Sequence, residues 1–260
     1  MMSYQNFNLE GKVGVVIGGT SGIGRAIAAG LADAGADIVP VSRSPEKVRD
    51  AVKEIESKGR RSLAVPTDAT QREDMERLAD TVLDEFNHVD ILVNSAGTIR
   101  VGPFLELTDE DFDVVMDTNL RAVVLGCQII GKIMMKQGRG KIINISSLSA
   151  FWGQPDIIPY SISKGAVAVL TKSLAVEWAE YKIQVNEIAP GFFVTPMTSE
   201  IFNNQTVAKL TENHIPMGRF GKLEDLQGAA IYLASRASDF VTGVSIRVDG
   251  GVLINGKLKF

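Results

Sequence analysis

The sequence predicts one doubly wound α/β domain over 1–260, a parallel sheet of seven strands with helices on both faces. Three observations predict it. Short apolar runs rich in Val and Ile alternate with longer stretches of helical period, the pattern of strands buried on both faces and joined by crossover helices. No Pro/Ser-rich linker, low-complexity tract, block of like charge or solenoid repeat divides the chain. A length of 260 residues with 45% hydrophobic content is enough to bury one full core.

The strands are expected, in order, near Lys12 to Ile17, Ile38 to Ser42, Ser62 to Pro66, Ile91 to Asn94, Lys141 to Ser146, Gln184 to Ile188 and Val244 to Val248. Helices fill the gaps, several with explicit start signals. Ser44 before Pro45 offers a cap followed by a first-turn proline, and Thr70 with Glu73 and Thr108 with Asp111 have the spacing of capping boxes. In such sheets ligands bind outside the carboxyl ends of the strands, so the residues just after each strand are the informative ones.

Composition narrows the chemistry. A net charge of −4 with dispersed Lys and Arg argues against nucleic acid as a partner. The least charged stretches, such as Ile142 to Pro155, are short and carry Asn and Ser, and the amino terminus has no basic-then-apolar secretion pattern, so no membrane insertion is expected. The one cysteine, Cys127, excludes an intrachain disulfide and every multi-cysteine zinc site, which fits a cytoplasmic home. Its apolar neighbours, Ala122 to Ile130, predict a buried, inert thiol. With two histidines and no ligand-like spacing, no metal site is expected.

After the first strand come Gly18, Thr20, Ser21, Gly22, Ile23 and Gly24, leading into an Ala-rich helix. Glycines allow a tight turn and close approach of backbone to a pyrophosphate, while the helix start presents unpaired N–H groups to the anion. The spacing is GxxxGxG, and its place after a buried strand points to a dinucleotide. The end of the second strand reads the adenosine ribose; an acid there favours NAD and an arginine accommodates the 2′-phosphate of NADP. Here it is Ser42-Arg43, with Asp37 at the wrong end of the strand, so NADP(H) is favoured and NAD(H) is the alternative. Asp68, beside Ala69 after the third strand, is placed to accept from the adenine amino group or else to cap a helix.

Tyr160 and Lys164 stand four residues apart, on one face of a helix. An ammonium near the phenol favours its ionised form, and bringing a pKa from ~10 to near 7 needs ~4 kcal/mol of differential stabilisation. Ser147 precedes this pair by thirteen residues.

Together with Asn94-Ser95-Ala96-Gly97 after the fourth strand, Asn119 in the following helix, Ser146-Ser147 after the fifth strand and Pro190-Gly191 after the sixth, these residues resemble the one-domain branch of the short-chain dehydrogenase/reductase family, over nearly the whole chain. The resemblance implies a Rossmann-type enzyme. Tyr160 would protonate a carbonyl oxygen or take an alcohol proton, Ser147 would hydrogen-bond the same oxygen, and Lys164 would favour the tyrosinate and bind the nicotinamide ribose. Asn119 would hold a water continuing the proton path. Asn94, Ala96, Gly97, Pro190, Gly191, Val194 and Thr195 would line the cofactor. The family's Thr before the first glycine is Ile17 here and its second Asn is Ser95, which puts in doubt a side-chain tie between the glycine turn and the segment after the fourth strand.

Substrate selection is expected from the loops after the fifth and sixth strands, with a movable lid about 192–217. Phe151, Trp152, Phe192, Phe193, Met197, Ile201 and Phe202 suit an apolar wall; Arg100, Ser149, Gln154 and His214 are candidates to meet a carboxylate or hydroxyls. Within the family the chain is most similar to sugar-acid dehydrogenases of the gluconate 5-dehydrogenase type and to 3-oxoacyl carrier-protein reductases. That implies a small keto or hydroxy sugar acid as substrate, with a 3-oxoacyl thioester as the alternative. A rival from another class is a dinucleotide-binding regulator without chemistry. Apolar residues on several faces of the helices holding Asn119 and Tyr160, and the family's usual assembly, imply a homotetramer.

Overall fold

The structure is a computed structural model that describes residues 5–255. Its sheet runs in the order β2-β1-β3-β4-β5-β6 with every pair parallel, the strands being β1 Val13–Ile17, β2 Asp37–Val41, β3 Ile91–Asn94, β4 Gly140–Ile145, β5 Ile183–Pro190 and β6 Ser245–Val248. These match six of the expected strands to within one or two residues. β1 is buried at all five positions, as a central strand covered on both faces must be.

The seventh expected strand, Ser62 to Pro66, is a correction. The segment runs alongside β2, tied by Ile38 N–H to the Arg61 carbonyl at 3.1 Å and Thr67 N–H to the Ser42 carbonyl at 2.9 Å, yet no ladder forms between those ends. Pro40, inside β2, has no N–H to donate, and the Ile38 carbonyl is taken by the Ser62 hydroxyl at 2.6 Å. The hydrophobic pattern was that of a strand, but its partner lacks the donors for pairing.

Helices α1 Gly22–Asp33, α2 Pro45–Ser57 and α3 Arg72–Phe86 follow the first half of the sheet. Next come α4 Asp109–Met116, a π-helical turn at Asp117–Arg121, α5 Ala122–Gln137 and α6 Ile158–Glu177. α7 Ser199–Phe202, α8 Gln205–His214 and α9 Gln227–Ala234 complete the set. Residues of α3, α5 and α6 build one core against the sheet, and residues of α1, α2 and α9 the other. The stretch Asp109–Gln137 is long and apolar enough to cross a membrane by length and composition, with 56% of its most apolar window buried in this fold.

Two of the three start signals act as expected. The Ser44 hydroxyl accepts from Lys47 N–H at 3.3 Å with Pro45 in the first turn, and Thr108 and Asp111 close a reciprocal box at 3.1 and 3.2 Å. Thr70 does not cap α3; its hydroxyl and amide both bond Asp68, and Gln71 takes the cap position.

Candidate active site

The strand order reverses between β1 and β3, and a cleft of about 590 Å³ opens there at the carboxyl ends of the strands. Its floor is the glycine turn. Gly18 has φ +78°, and a Cβ on it would stand 2.6 Å from the Ala96 nitrogen; one on Gly24 would stand 2.2 Å from the Gly18 carbonyl oxygen. Only glycine fits either place. No side chain caps the start of α1, so its first-turn N–H groups remain as donors beside the cleft. The glycine turn is tied to the segment after β3 through the backbone: Ser95 N–H donates to the Ile17 carbonyl at 2.8 Å. The cradle therefore fits a pyrophosphate.

At the end of β2 the cleft is bordered by Ser42, Arg43, Ser44 and Lys47. The Ser42 hydroxyl is buried without a partner, and the exposed Arg43 and Lys47 are in no ion pair among the described residues. Asp37, by contrast, accepts the Arg61 N–H at 2.8 Å at the other end of the strand. Asp68 borders the cleft while its carboxylate closes a turn with Thr70 at 2.7 Å.

Ser147, Tyr160 and Lys164 line the inner end. Burial pushes the Tyr160 phenol above its ordinary pKa, opposed by a hydrogen bond with Ser147. Lys164 is 4% exposed; burial lowers its pKa to about 8, with the charge of Glu187 opposing. The Lys164 ammonium donates to the Ile145 carbonyl at 2.9 Å and stands 5.7 Å from the Tyr160 ring centre. In the protein alone it is burial that sets the direction of the Tyr160 shift, with the Lys164 ammonium held on the Ile145 carbonyl.

Asn119 lies in the π-turn, fully buried. Its carbonyl accepts Thr98 N–H at 2.7 Å, and its amide donates to the Thr98 carbonyl and the Ser163 hydroxyl, both at 3.0 Å. Ser163 in turn donates to the Tyr160 carbonyl at 2.7 Å. Asn119 therefore pins the segment after β3 to the turn of α6 that carries the phenol; π-turns often mark functional positions.

Of the cofactor residues expected from sequence, Gly18, Thr20, Ser21, Gly22, Ile23, Gly24, Ser42, Arg43, Asp68, Ala69, Ala96, Gly97, Tyr160, Lys164, Pro190, Gly191 and Thr195 line the cleft. Asn94 and Val194 do not. Asn94 points under the sheet and donates to Asn144 at 2.8 Å, and Val194 is 50% exposed. Of the substrate candidates and the expected apolar wall, Phe192, Phe193, Met197 and Phe202 line it. Arg100 stands outside, ion-paired with Asp111 at 3.2 Å. Ser149 donates to Gln154 at 2.5 Å near the exposed Phe151, and the Trp152 ring lies 6.0 Å from that of His214, tilted by 32°. These five sit on the flanks rather than in the cleft. The side chain of Ile201 lies outside the described residues. Sequence reading missed Lys47, Thr98 and Thr118 among the lining residues. Lys47, four residues past Arg43 on a helix start, had a readable signal; Thr98 and Thr118 had none. Cys127, its pKa pushed up to about 12 by burial, is the inert thiol expected.

A family model described as enoyl-(acyl carrier protein) reductase matches residues 17–253. The 2-dehydro-3-deoxy-D-gluconate 5-dehydrogenase of Dickeya dadantii (strain 3937) is 41% identical over 97% of this chain and 99% of its own length. The crystal structure of a short-chain type dehydrogenase/reductase from Mycobacterium marinum is 34% identical and superimposes with a TM-score of 0.91, over 95% of this chain and 98% of that one. The chain belongs to the short-chain dehydrogenase/reductase family. A further member, the gluconate 5-dehydrogenase of Burkholderia cenocepacia J2315 in complex with NADP and tartrate, is 36% identical with a TM-score of 0.92, over 95% and 97% of the two chains. Membership gives the glycine cradle, Ser147, Tyr160 and Lys164 a common setting in one dehydrogenase cleft.

Proposed function

We propose that this protein is an NADP(H)-dependent oxidoreductase that interconverts a secondary alcohol and a ketone on a small sugar acid. The observation that carries the reading is the meeting of Ser147, Tyr160 and Lys164 at the inner end of a cleft whose outer end is a phosphate cradle. When bound, the nicotinamide ring supplies or accepts the hydride. Tyr160 gives its phenolic proton to the carbonyl oxygen in reduction and takes the alcohol proton in oxidation. Ser147 donates a hydrogen bond to the same oxygen and fixes its place. Lys164 stabilises the tyrosinate, and Asn119 holds the tyrosine's helix against the cofactor-side loop while offering its carbonyl to a proton-carrying water.

NADP(H) is the favoured cofactor because Arg43, Lys47 and the unpartnered Ser42 hydroxyl gather where a 2′-phosphate belongs. The sugar-acid reading is supported by the names of the relatives from Dickeya and Burkholderia, one of which was crystallised with NADP. Arg100, following cleft-lining Thr98, would exchange Asp111 for the substrate carboxylate. Residues 192–217 act as the lid: α8 has no buried residue, so little apolar area opposes its movement. A homotetramer is supported by the α6 stripe Ile162, Val169 and Val176, exposed at 46, 62 and 82% and spaced seven residues apart.

The test is oxidation of NADPH and NADH against keto sugar acids, 3-oxoacyl thioesters and simple cyclic ketones. The expected result is turnover of a keto sugar acid with NADPH. Turnover of the thioester alone would replace the substrate class, and cofactor binding without turnover of any substrate would leave a regulator.

A further inference from the structure

Beneath α5 and α6 the sheet carries a row of polar side chains where a doubly covered sheet calls for apolar ones. Asn94 of β3 donates to Asn144 of β4 at 2.8 Å, and Asn144 donates to Thr171 of α6 at 2.9 Å. Level with Asn144 in β5 is Glu187, and level with Glu187 in β6 is Ser245. Glu187 is 1% exposed, and neither carboxylate oxygen has a hydrogen-bond partner in good geometry. The hydroxyls of Ser245 and Ser146 stand beside it, but Ser146 donates to the Ile188 carbonyl at 3.3 Å and Ser245 is itself unpaired. A buried charge so poorly bonded is a cost to the fold, and an apolar side chain would pack there more cheaply.

The charges around it suggest what offsets that cost. From α6, the ammoniums of Lys172 and Lys164 act on Glu187; the other ionisable residues of that helix are Tyr160 and Glu177. β4 offers only Lys141, engaged with Asp239 at 2.9 Å, and β6 only the exposed Arg247. The turn before β5 holds Glu180, Tyr181 and Lys182, and α9 holds Tyr232. Of the cations lining the catalytic cleft, Lys164 is the one placed toward Glu187: its ammonium bonds the carbonyl of Ile145, the β4 residue next to Asn144, which is level with Glu187, and the charge of Glu187 acts on it.

We infer that Glu187 is a positioning residue for the proton-transfer pair, a buried counter-ion that keeps Lys164 an ammonium inside the closed site. The inference rests on the proposed function, in which Tyr160 and Lys164 act together. Burial pushes the two groups toward neutrality from opposite sides, lowering Lys164 and raising Glu187, and each charge opposes that drift in the other. When the Tyr160/Lys164 pair has lost one proton, the remaining proton sits on either the phenol or the amine. Only the form with tyrosinate and ammonium is a base toward an alcohol. An anion whose charge acts on Lys164 favours that form, and each pKa unit lost at Lys164 lowers its share about tenfold.

Glu187→Gln keeps the shape and removes the charge. Carbon-13 lysine NMR, with Lys164 assigned by difference against Lys164→Met, reads the amine directly; its midpoint is expected to fall by about one pH unit or more in Glu187→Gln. In alcohol oxidation kcat is expected to fall roughly tenfold with KM nearly unchanged, and its pH profile to move to lower pH. Glu187→Asp should recover part of both, and the thermal midpoint of Glu187→Gln should match or exceed the parent's. An unchanged Lys164 midpoint overturns the inference. So does loss of the fold in Glu187→Gln, since the carboxylate would then serve structure. Full turnover in Lys164→Met is a different result: it removes the proposed mechanism, whatever the NMR titration gives.

Discussion

Tyr160 is a phenol that burial holds neutral, so in the protein alone it is ready to donate a proton rather than accept one. Replacing it with Phe removes the proton donor and leaves the cradle at Gly18 and Gly24 untouched. The expected outcome for Tyr160→Phe is NADPH binding within twofold of the parent, measured by fluorescence titration, with turnover down by about 10² to 10⁴. Arg43 makes a separate prediction. Removing a charge-assisted bond to a phosphate costs ~1.5–3 kcal/mol, so Arg43→Ala should raise KM for NADPH by at least about tenfold and leave KM for NADH nearly the same. Equal effects on both cofactors would place the 2′-phosphate elsewhere. These residues were legible in sequence because their chemistry is local: a tyrosine and a lysine one helical turn apart, a cation directly after a strand. Glu187 was not legible, because the groups around it come from β4, β6 and α6, far from it in sequence. Asn94 was misplaced for a related reason, since position at a strand end does not say to which side of the sheet a side chain points.

The element that governs cofactor binding is the strand–turn–helix unit of β1 and α1. Gly18 in its positive-φ conformation lies against the backbone of Ala96, where a methyl group would stand 2.6 Å from the amide nitrogen. Gly18→Ala therefore combines backbone strain with a clash against an element that cannot yield cheaply. Destabilisation of ~1–3 kcal/mol in urea unfolding is expected, with at least a tenfold rise in the NADPH dissociation constant by calorimetry. A variant with normal affinity would mean that the turn opens without disturbing the cradle. At this scale the sequence pattern located six of the strands, because burial on both faces demands unbroken Val and Ile runs. It over-counted at Ser62 to Pro66, where apolar content was right and hydrogen bonding was not. Strand pairing depends on donors in the partner, and Pro40 withholds one. The same limit explains Thr70: a capping sequence competes with nearer acceptors, and Asp68 won.

Across the whole molecule the two ends of the sheet are built on different electrostatic terms. The carboxyl end carries the cleft and its uncompensated donors, while the amino end is closed by Asp90, just before β3. Its Oδ1 accepts from Lys12 and Arg139, each at 3.1 Å, and its Oδ2 accepts from Val13 N–H at 3.2 Å with His88 Nε2 also at 3.2 Å. One carboxylate thus ties β1, β3 and β4 at their starts. Burial acts to raise its pKa, yet Lys12, the Val13 amide and Arg139 together hold it below the ordinary carboxylate value. The sign follows from linkage. A group whose pKa is lower in the folded state binds more protons unfolded, so its contribution is complete above the unfolded value of ~3.9 and is lost as pH falls through the folded one. Asp90→Asn should therefore cost roughly 2 kcal/mol at pH near 7, a figure reduced from the fully buried case because Lys12 and Arg139 are partly exposed. Urea unfolding of both proteins at neutral pH and again near the acid limit checks it. The gap between their midpoints should be wide at neutral pH and close as Asp90 of the parent becomes protonated. A gap that stays constant across that range would mean the side chain's shape, and not its charge, holds the strand starts together.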